Sequence, residues 1–307
     1  MSRLPVIYNP VARGGRSHPP RRRLERVGQE LGVTLEWWET AAPGHAQELA
    51  RRAARDGCPA VAVWGGDGTY NEAARGLVDT ETAMLLLPGG TTSVLAYELG
   101  VPRDPVAALA SQLQARRRAM SLARTDRGEL FLLMLSAGPD STILTKLPES
   151  WKRYAGKVGV TVQAVLEFLH GHLPRFQVAV NGVEHSAAWC IVGNSRYYGG
   201  PFAATPGADP FSPGLETVVL TKHGRRHVVP FFFAIPSGRH LARAGVKRFL
   251  AAEVKLKADE EVPYQLDGDA VGYLPVTARA SGERLWVLPP AGLQPVMTEA
   301  MAVSRAC

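Results

Sequence analysis

AVWGGDGTYNEA, residues 62–73, is the stretch on which the fold turns. It opens inside the apolar run PAVAVWGG, residues 59–66, the kind of segment that forms a central parallel strand buried on both faces. GDGTYNEAARGL then turns into a helix, with Thr69 at its start. Glycines at 65, 66 and 68 let backbone N–H groups approach a ligand, and a helix N-terminus adds unpaired donors and a positive dipole. Together these suit a phosphate. The loop is neither the dinucleotide pattern GxGxxG nor a P-loop, which would need Lys followed by Ser or Thr. Read alone, it could also be an ordinary glycine turn in which Asp67 or Thr69 caps the helix.

On either side of this loop the first 125 residues alternate strand-like and helix-like segments at the pace of βα units. LPVIYN is a short apolar run ending at Asn9 and Pro10, followed by a basic helical stretch from Arg21 to Leu31. TLEWWET suits a strand by its β-branched and aromatic content, with Thr40 at the next helix start. Ala46, Leu49, Ala50 and Ala53 make one buried stripe at helical spacing, and Gly57 stops that helix. AMLLLPGG and TTSVLAYELG repeat the strand, turn and helix, closed by Gly100 and Pro102.

The turn PGGTTS, residues 88–93, offers glycines and hydroxyls at a helix start, as GGDGT does. Adjacent parallel strands set such loops side by side at the carboxyl edge of the sheet, where open α/β folds bind ligands. Alone, Thr91 and Thr92 read first as helix caps; beside GGDGT they read as binding residues.

Past residue 125 the rhythm changes to strands such as LFLLML, RFQVAVNG, AAWCIVG, LETVVLT and AEVKLKA, with turns between them. The expectation is an N-terminal α/β domain over residues 1–125 with a parallel sheet, an antiparallel β-sandwich domain over 126–288, and a tail at 289–307 that either frays or packs back on the first domain. Helical insertions are expected at 158–170 and 229–241.

Composition narrows the function. The 307 residues are 46% hydrophobic, enough for a sizeable core, and the formal net charge of +7 favours acidic partners. Cys58, Cys190 and Cys307 are too few and too scattered for a disulfide framework or a zinc site. No long apolar run or secretion signal is visible, so a cytoplasmic protein is expected. The clusters Arg21–Arg23 and Arg116–Arg118 read as solvated helix faces without interleaved aromatics, which argues against a nucleic-acid partner. PFFFAI, residues 230–235, reads first as a core element and second as a patch that touches a bilayer or lines an acyl pocket.

Two acidic features carry the chemistry. Asp67 amid phosphates is repulsive unless a cation lies between them or the carboxylate acts on an attacking hydroxyl, which implies Mg2+ and phosphoryl transfer. YQLDGDAVG sets Asp267 and Asp269 two positions apart around Gly268; it reads as a hairpin turn with solvated acids or, in a kinase, as the source of a general base.

Taken together and in this order, YNPVARGG, Thr40 with GHAQELA, WGGDGTYNEAARGL, LLLPGGTTSVLAYELG, GNSRYYGGPFAATPGA and YQLDGDAVG resemble the diacylglycerol kinase catalytic-domain family, which includes bacterial lipid kinases and sphingosine kinases. GGDGT alone is shared with NAD kinases and phosphofructokinases. The resemblance implies a phosphofructokinase-like three-layer nucleotide domain, a C-terminal β-sandwich and an active site between them. It further implies an ATP-dependent, Mg2+-assisted kinase acting on a lipid hydroxyl, diacylglycerol-like or sphingoid, with peripheral contact to the inner membrane face. Its oligomeric state is left open, a homodimer among the options.

Carried over by that resemblance, the nucleotide set is Asn9, Pro10, Thr40, Gly65, Gly66, Asp67, Gly68, Thr69, Glu72, Gly90 and Thr91, with Asp67 also a Mg2+ ligand. Asp269 falls where the family places its base, usually a Glu, while Asp267 or Asp67 could share the role. Ser93, Val94, Ser121, Ser212 and Pro213 depart from the family pattern, the last two where acids help hold a structural magnesium. A kinase of a soluble alcohol and a pseudokinase that binds nucleotide or lipid without turnover are the alternatives.

Overall fold

The structure is a computed structural model that describes residues 2–11, 18–90, 92–146 and 173–291. Four strands, β1 (Ser2–Tyr8), β2 (Val33–Glu39), β3 (Ala60–Gly65) and β4 (Ala83–Pro88), lie parallel in the order β2-β1-β3-β4. β3 and β4 are buried at nearly every position, which is why they read as unbroken apolar runs. Helices α1 (Arg21–Glu30), α2 (His45–Arg55), α3 (Asp67–Leu77), α4 (Val94–Glu98) and α5 (Pro105–Leu113) complete the first lobe.

The stripe Ala46, Leu49, Ala50 and Ala53 of α2 is buried as its spacing predicts. It meets α3 at Gly76, where a Cβ would come within 2.3 Å of the Gln47 carbonyl oxygen. α3 begins at Asp67, two residues before the expected start, because Gly66 takes the N-cap position in extended backbone. α4 is only five residues long and is preceded by Ser93 in the left-handed region at φ 48°.

The second lobe contains β5 (Arg118–Thr125), β6 (Leu130–Phe131), β7 (Met134–Ala137), α6 (Pro139–Lys146), β8 (Phe176–Val180), β9 (Val183–Ala187), β10 (Trp189–Gly193) and β11 (Leu215–Leu220). It continues with α7 (Arg225–Ala234), β12 (Val246–Ala251), β13 (Glu253–Lys257), β14 (Pro263–Leu266), β15 (Asp269–Tyr273) and β16 (Val276–Val287). One sheet runs β12-β11-β10-β7-β14-β15, all antiparallel. It packs on β16, β13 and β8 through a core that includes Phe131, Leu135, Val178, Val219, Val254, Tyr264 and Val276. This is an antiparallel β-sandwich beside an α/β lobe, the fold class the sequence leads one to expect.

β16 was not anticipated as a bridge. It pairs antiparallel with β13 along its first part and with β5 on both sides of a register shift between Ala280 and Arg284, and ends parallel to β4 with Val287 opposite Met84. Gly282, at φ 75°, sits inside that shift and lets the strand bend from the sandwich towards the first lobe. The parallel sheet and one leaf of the sandwich are therefore a single ten-stranded sheet.

Three expectations change in detail. LFLLML is two short strands, because the chain breaks pairing at Leu132 and Leu133. The helix expected at 229–241 is α7, followed by single 3-10 turns at Ile235–Ser237 and Arg239–Ala242. The Arg clusters are not bare solvated faces: Arg21 stacks over Tyr8 and Trp37, Arg117 over Trp286 and Arg118 over Phe211. The helix expected at 158–170 and the tail beyond Ala291 lie outside the described residues. Among the described residues, no helix is long and apolar enough to cross a membrane.

Candidate active site

The loops after β3 and β4 meet backbone to backbone. The amides of Gly89 and Gly90 donate to the Gly65 carbonyl at 2.8 and 2.9 Å. A Cβ on Gly90 would lie 2.5 Å from the Gly66 Cα, and one on Gly65 would lie 2.6 Å from the Thr69 Cβ. Close approach, rather than dihedral freedom, is what demands glycine here. Gly68 is exposed, with open space where its Cβ would be, so the first turn of α3 presents bare backbone.

Asn9 and Thr40 end the neighbouring strands at the same edge. The Asn9 side-chain amide donates to Thr69 Oγ1 at 3.2 Å, and the Thr40 amide donates to the Tyr8 carbonyl at 2.9 Å. Pro10 is half-buried beside Asn9, and Glu72 lies half-buried on α3. Thr91 lies outside the described residues. The structure thus gathers Asn9, Pro10, Thr40, the GGDGT loop, Glu72 and Gly90 around the carboxyl end of one parallel sheet.

Asp67 takes a different part from the metal ligand expected of it. Its Oδ2 accepts from the Val94 amide at 2.8 Å and its Oδ1 from the Leu95 amide at 2.9 Å, so the carboxylate caps α4. Burial pushes its pKa up while those amides pull it down. Among the described residues, no group of three or more acidic, His or Cys side chains could hold a metal ion. The residues present do not fit a magnesium caged by the protein.

Asp267 and Asp269 are equally divided in role. Asp267 and Gly268, at φ 52° and 97°, form the two-residue turn between β14 and β15. The amides of Leu132, Leu133 and Met134 donate to the Asp267 carboxylate at 2.8, 2.8 and 2.9 Å, which is why the LFLLML strand breaks there. Asn71 Nδ2 of α3 adds a fourth bond at 2.6 Å. Burial pushes the Asp267 carboxyl up to about 6, with the Asp67 charge adding to the rise and the three amides opposing it. Four donors occupy Asp267, which is therefore not the solvated acid of an open hairpin turn. Asp269, two residues on, is exposed.

Residues the sequence reading did not assign tie the lobes together. Buried Glu98 of α4 accepts from the Arg196 amide and from Arg196 Nε, both at 2.8 Å, and burial raises its pKa against the pull of that guanidinium. Asn194 Nδ2 donates to the carbonyls of Ser121 and Leu132 at 3.0 and 2.9 Å. GNSRYYGG marked this segment, but nothing local showed that its Arg reaches back to α4 of the first lobe or that its Asn joins β5 to the chain at Leu132. Near Ser212 and Pro213, the carboxylate of Glu216 accepts from Arg248 Nε at 2.8 Å and from the Gly207 amide at 2.6 Å. A guanidinium, rather than a constellation of acids, neutralises Glu216.

Comparison with known proteins gives both halves a family. Residues 3–125 match the diacylglycerol kinase catalytic domain, and residues 133–289 match the YegS C-terminal NAD kinase beta sandwich-like domain. The "Probable lipid kinase YegS-like" of Pseudomonas aeruginosa is 28% identical over 186 residues, covering 59% of this chain and 60% of the relative. The chain thus spans about 60% of the length of the first curated relatives it matches. The diacylglycerol kinase of Bacillus subtilis is 24% identical over 284 residues, covering 90% and 92%. A crystal structure of a diacylglycerol kinase from Bacillus anthracis str. Sterne shares the fold at a TM-score of 0.68 and 17% identity, covering 95% of this chain and 98% of that one.

Proposed function

The chain belongs to the family that joins a diacylglycerol kinase catalytic domain to a YegS C-terminal NAD kinase beta sandwich-like domain, and from that premise we propose that it transfers the γ-phosphoryl of ATP to the hydroxyl of a diacylglycerol-like or sphingoid lipid. The observation that carries the reading is the division of labour among three aspartates. Asp67 caps α4, Asp267 accepts four hydrogen bonds, and Asp269 alone of the three is open to solvent at the hairpin that α3 holds in place.

In this reading the exposed backbone at Gly68 and the N-terminus of α3 receive the nucleotide phosphates, with Asn9 and Thr40 along the same edge. Asp269 accepts the proton of the lipid hydroxyl as its oxygen bonds to the γ-phosphorus and the bond to the β-phosphate oxygen breaks, releasing ADP. Asn71 and Asp267 position Asp269 without touching substrate. Magnesium would be held chiefly by the nucleotide phosphates rather than by a cage of the described side chains, and would shield their charge. Residues 1–125 would act as the nucleotide part and 126–288 as the acceptor part, working at the inner face of the membrane.

A panel of lipid and soluble alcohols presented with ATP tests this. Phosphorylation of a lipid acceptor, lost in Asp269→Asn while nucleotide binding persists, is the expected result. Phosphorylation of soluble acceptors only, or nucleotide binding with no acceptor turned over, would replace it with one of the alternatives.

A further inference from the structure

The excursion between β11 and β12 has a charge pattern unlike the rest of the chain. Between Glu216 and Glu253 there is no acidic residue, yet the segment carries seven lysines and arginines, as many as the formal net charge of +7 for the whole protein. α7 occupies its centre. One face of that helix is anchored: Val228, Phe231, Ala234 and Ile235 are buried, and Trp189 packs against Phe231 and Phe232 at ring distances of 5.4 and 6.0 Å.

The opposite face is left to solvent. Arg226 and Phe233 are seven residues apart, two helical turns, and so share a face. Phe233 is 63% exposed and touches Phe232 edge-on at 5.3 Å. Pro236 and Gly238 end the helical run, after which Arg239 and Arg243 are again exposed. Among the described residues, none of Arg226, Arg239 and Arg243 has an ion-pair partner.

We propose that α7 and the two turns after it form a docking surface for an anionic lipid bilayer, with Phe233 inserted among the acyl chains and Arg226, Arg239 and Arg243 on the headgroups. A polyanion such as nucleic acid would be served by the arginines alone. An exposed aromatic ring on the same face as an arginine with no acidic partner, set in an acid-free segment, fits an interface that is charged above and apolar below. Rigid anchoring through Trp189 keeps the ring presented rather than folded away. The proposal concerns binding, so it stands apart from the catalytic reading, though a surface-bound lipid kinase would use it.

Co-sedimentation of the full chain with vesicles decides it, comparing phosphatidylcholine alone with phosphatidylcholine containing about one third phosphatidylglycerol. Each basic side chain near an anionic leaflet is worth roughly a five-fold gain in partitioning, so Arg226→Gln/Arg239→Gln/Arg243→Gln should weaken binding to the anionic vesicles by about 100-fold. Phe233→Ser should weaken it by roughly ten-fold and remove the part that resists high salt. Thermal melts that match the parent show that both variants fold, since these side chains are exposed. Parent-like vesicle binding by both folded variants, absence of binding by the parent, or displacement of the parent from vesicles by single-stranded oligonucleotide with no loss in Phe233→Ser, would overturn the proposal.

Discussion

Asn71 Nδ2 lies 2.6 Å from Asp267 Oδ2, and this hydrogen bond joins the helix that follows the GGDGT loop to the hairpin that carries Asp269. The two residues are 196 positions apart. Arg75 Nε donates to Asn71 Oδ1 at 3.0 Å and fixes the amide's orientation. Asp267 in turn holds the amides of Leu132 to Met134.

Asn71→Ala leaves the Asp267 carboxylate short of one donor. The expected cost is about 1–3 kcal/mol in denaturant unfolding, with a lower kcat and little change in nucleotide affinity. Asn71→Asp should be worse than Ala, because it sets two carboxylates against each other. Equal stability for the three proteins would show that the contact does not hold the hairpin.

Asp267 also predicts a pH dependence. Its folded value of about 6 is above the ordinary 3.8, so the folded chain holds this proton more tightly than the unfolded one. That contribution is complete below the unfolded value and is lost as pH rises through about 6. Unfolding free energy should therefore fall between about pH 4 and 7, by on the order of 2–3 kcal/mol from this group. In Asp267→Asn that component should vanish. An unchanged slope in the variant would assign the pH dependence elsewhere, for instance to Asp67, Glu98 or Asp140, whose values burial also raises.

Asp269→Asn should lower kcat by on the order of 100-fold or more while the thermal midpoint stays within a degree or two of the parent, since the residue is exposed. Asp269→Glu keeps a carboxylate with one more methylene and should retain much of the activity. Loss of stability with either change would mean the residue is structural.

Gly90→Ala tests the meeting of the two loops. Its Cβ would fall 2.5 Å from the Gly66 Cα, a backbone atom that cannot swing aside. ATP affinity measured by calorimetry should drop at least ten-fold, or about 1.4 kcal/mol. Gly68→Ala, which meets open space, should affect folding far less, so any loss of ATP affinity there would report contact with the ligand.

The Glu98 and Arg196 pair should be asymmetric. The Glu98 side chain is fully buried, and that of Arg196 is 23% exposed. Arg196→Ala strands a buried carboxylate and should cost about 3–5 kcal/mol, whereas Glu98→Gln keeps acceptor and shape and should cost less. Urea unfolding of both variants checks the order.

Much of the fold is legible locally because its causes are local. Apolar runs at β3 and β4 and the alanine stripe of α2 each act within a dozen residues. β16 was not legible as a bridge because a bend at Gly282 and a single register at Val287 depend on what lies beside them. The split of LFLLML was hidden for the same reason: an aspartate more than 130 residues away captures its amides.

The amino-acid sequence by itself determined the α/β lobe and β-sandwich, the two glycine loops at one edge of the parallel sheet, and the kinship those motifs carry. Only the tertiary structure decided what each aspartate does. A carboxylate is spent or free according to which donors reach it, and those donors come from residues 27 and 28 positions away for Asp67 and 133 to 196 away for Asp267. Spacing along a chain cannot report such distances. Asp269 emerges as the open acid because its two neighbours in the motifs are already held.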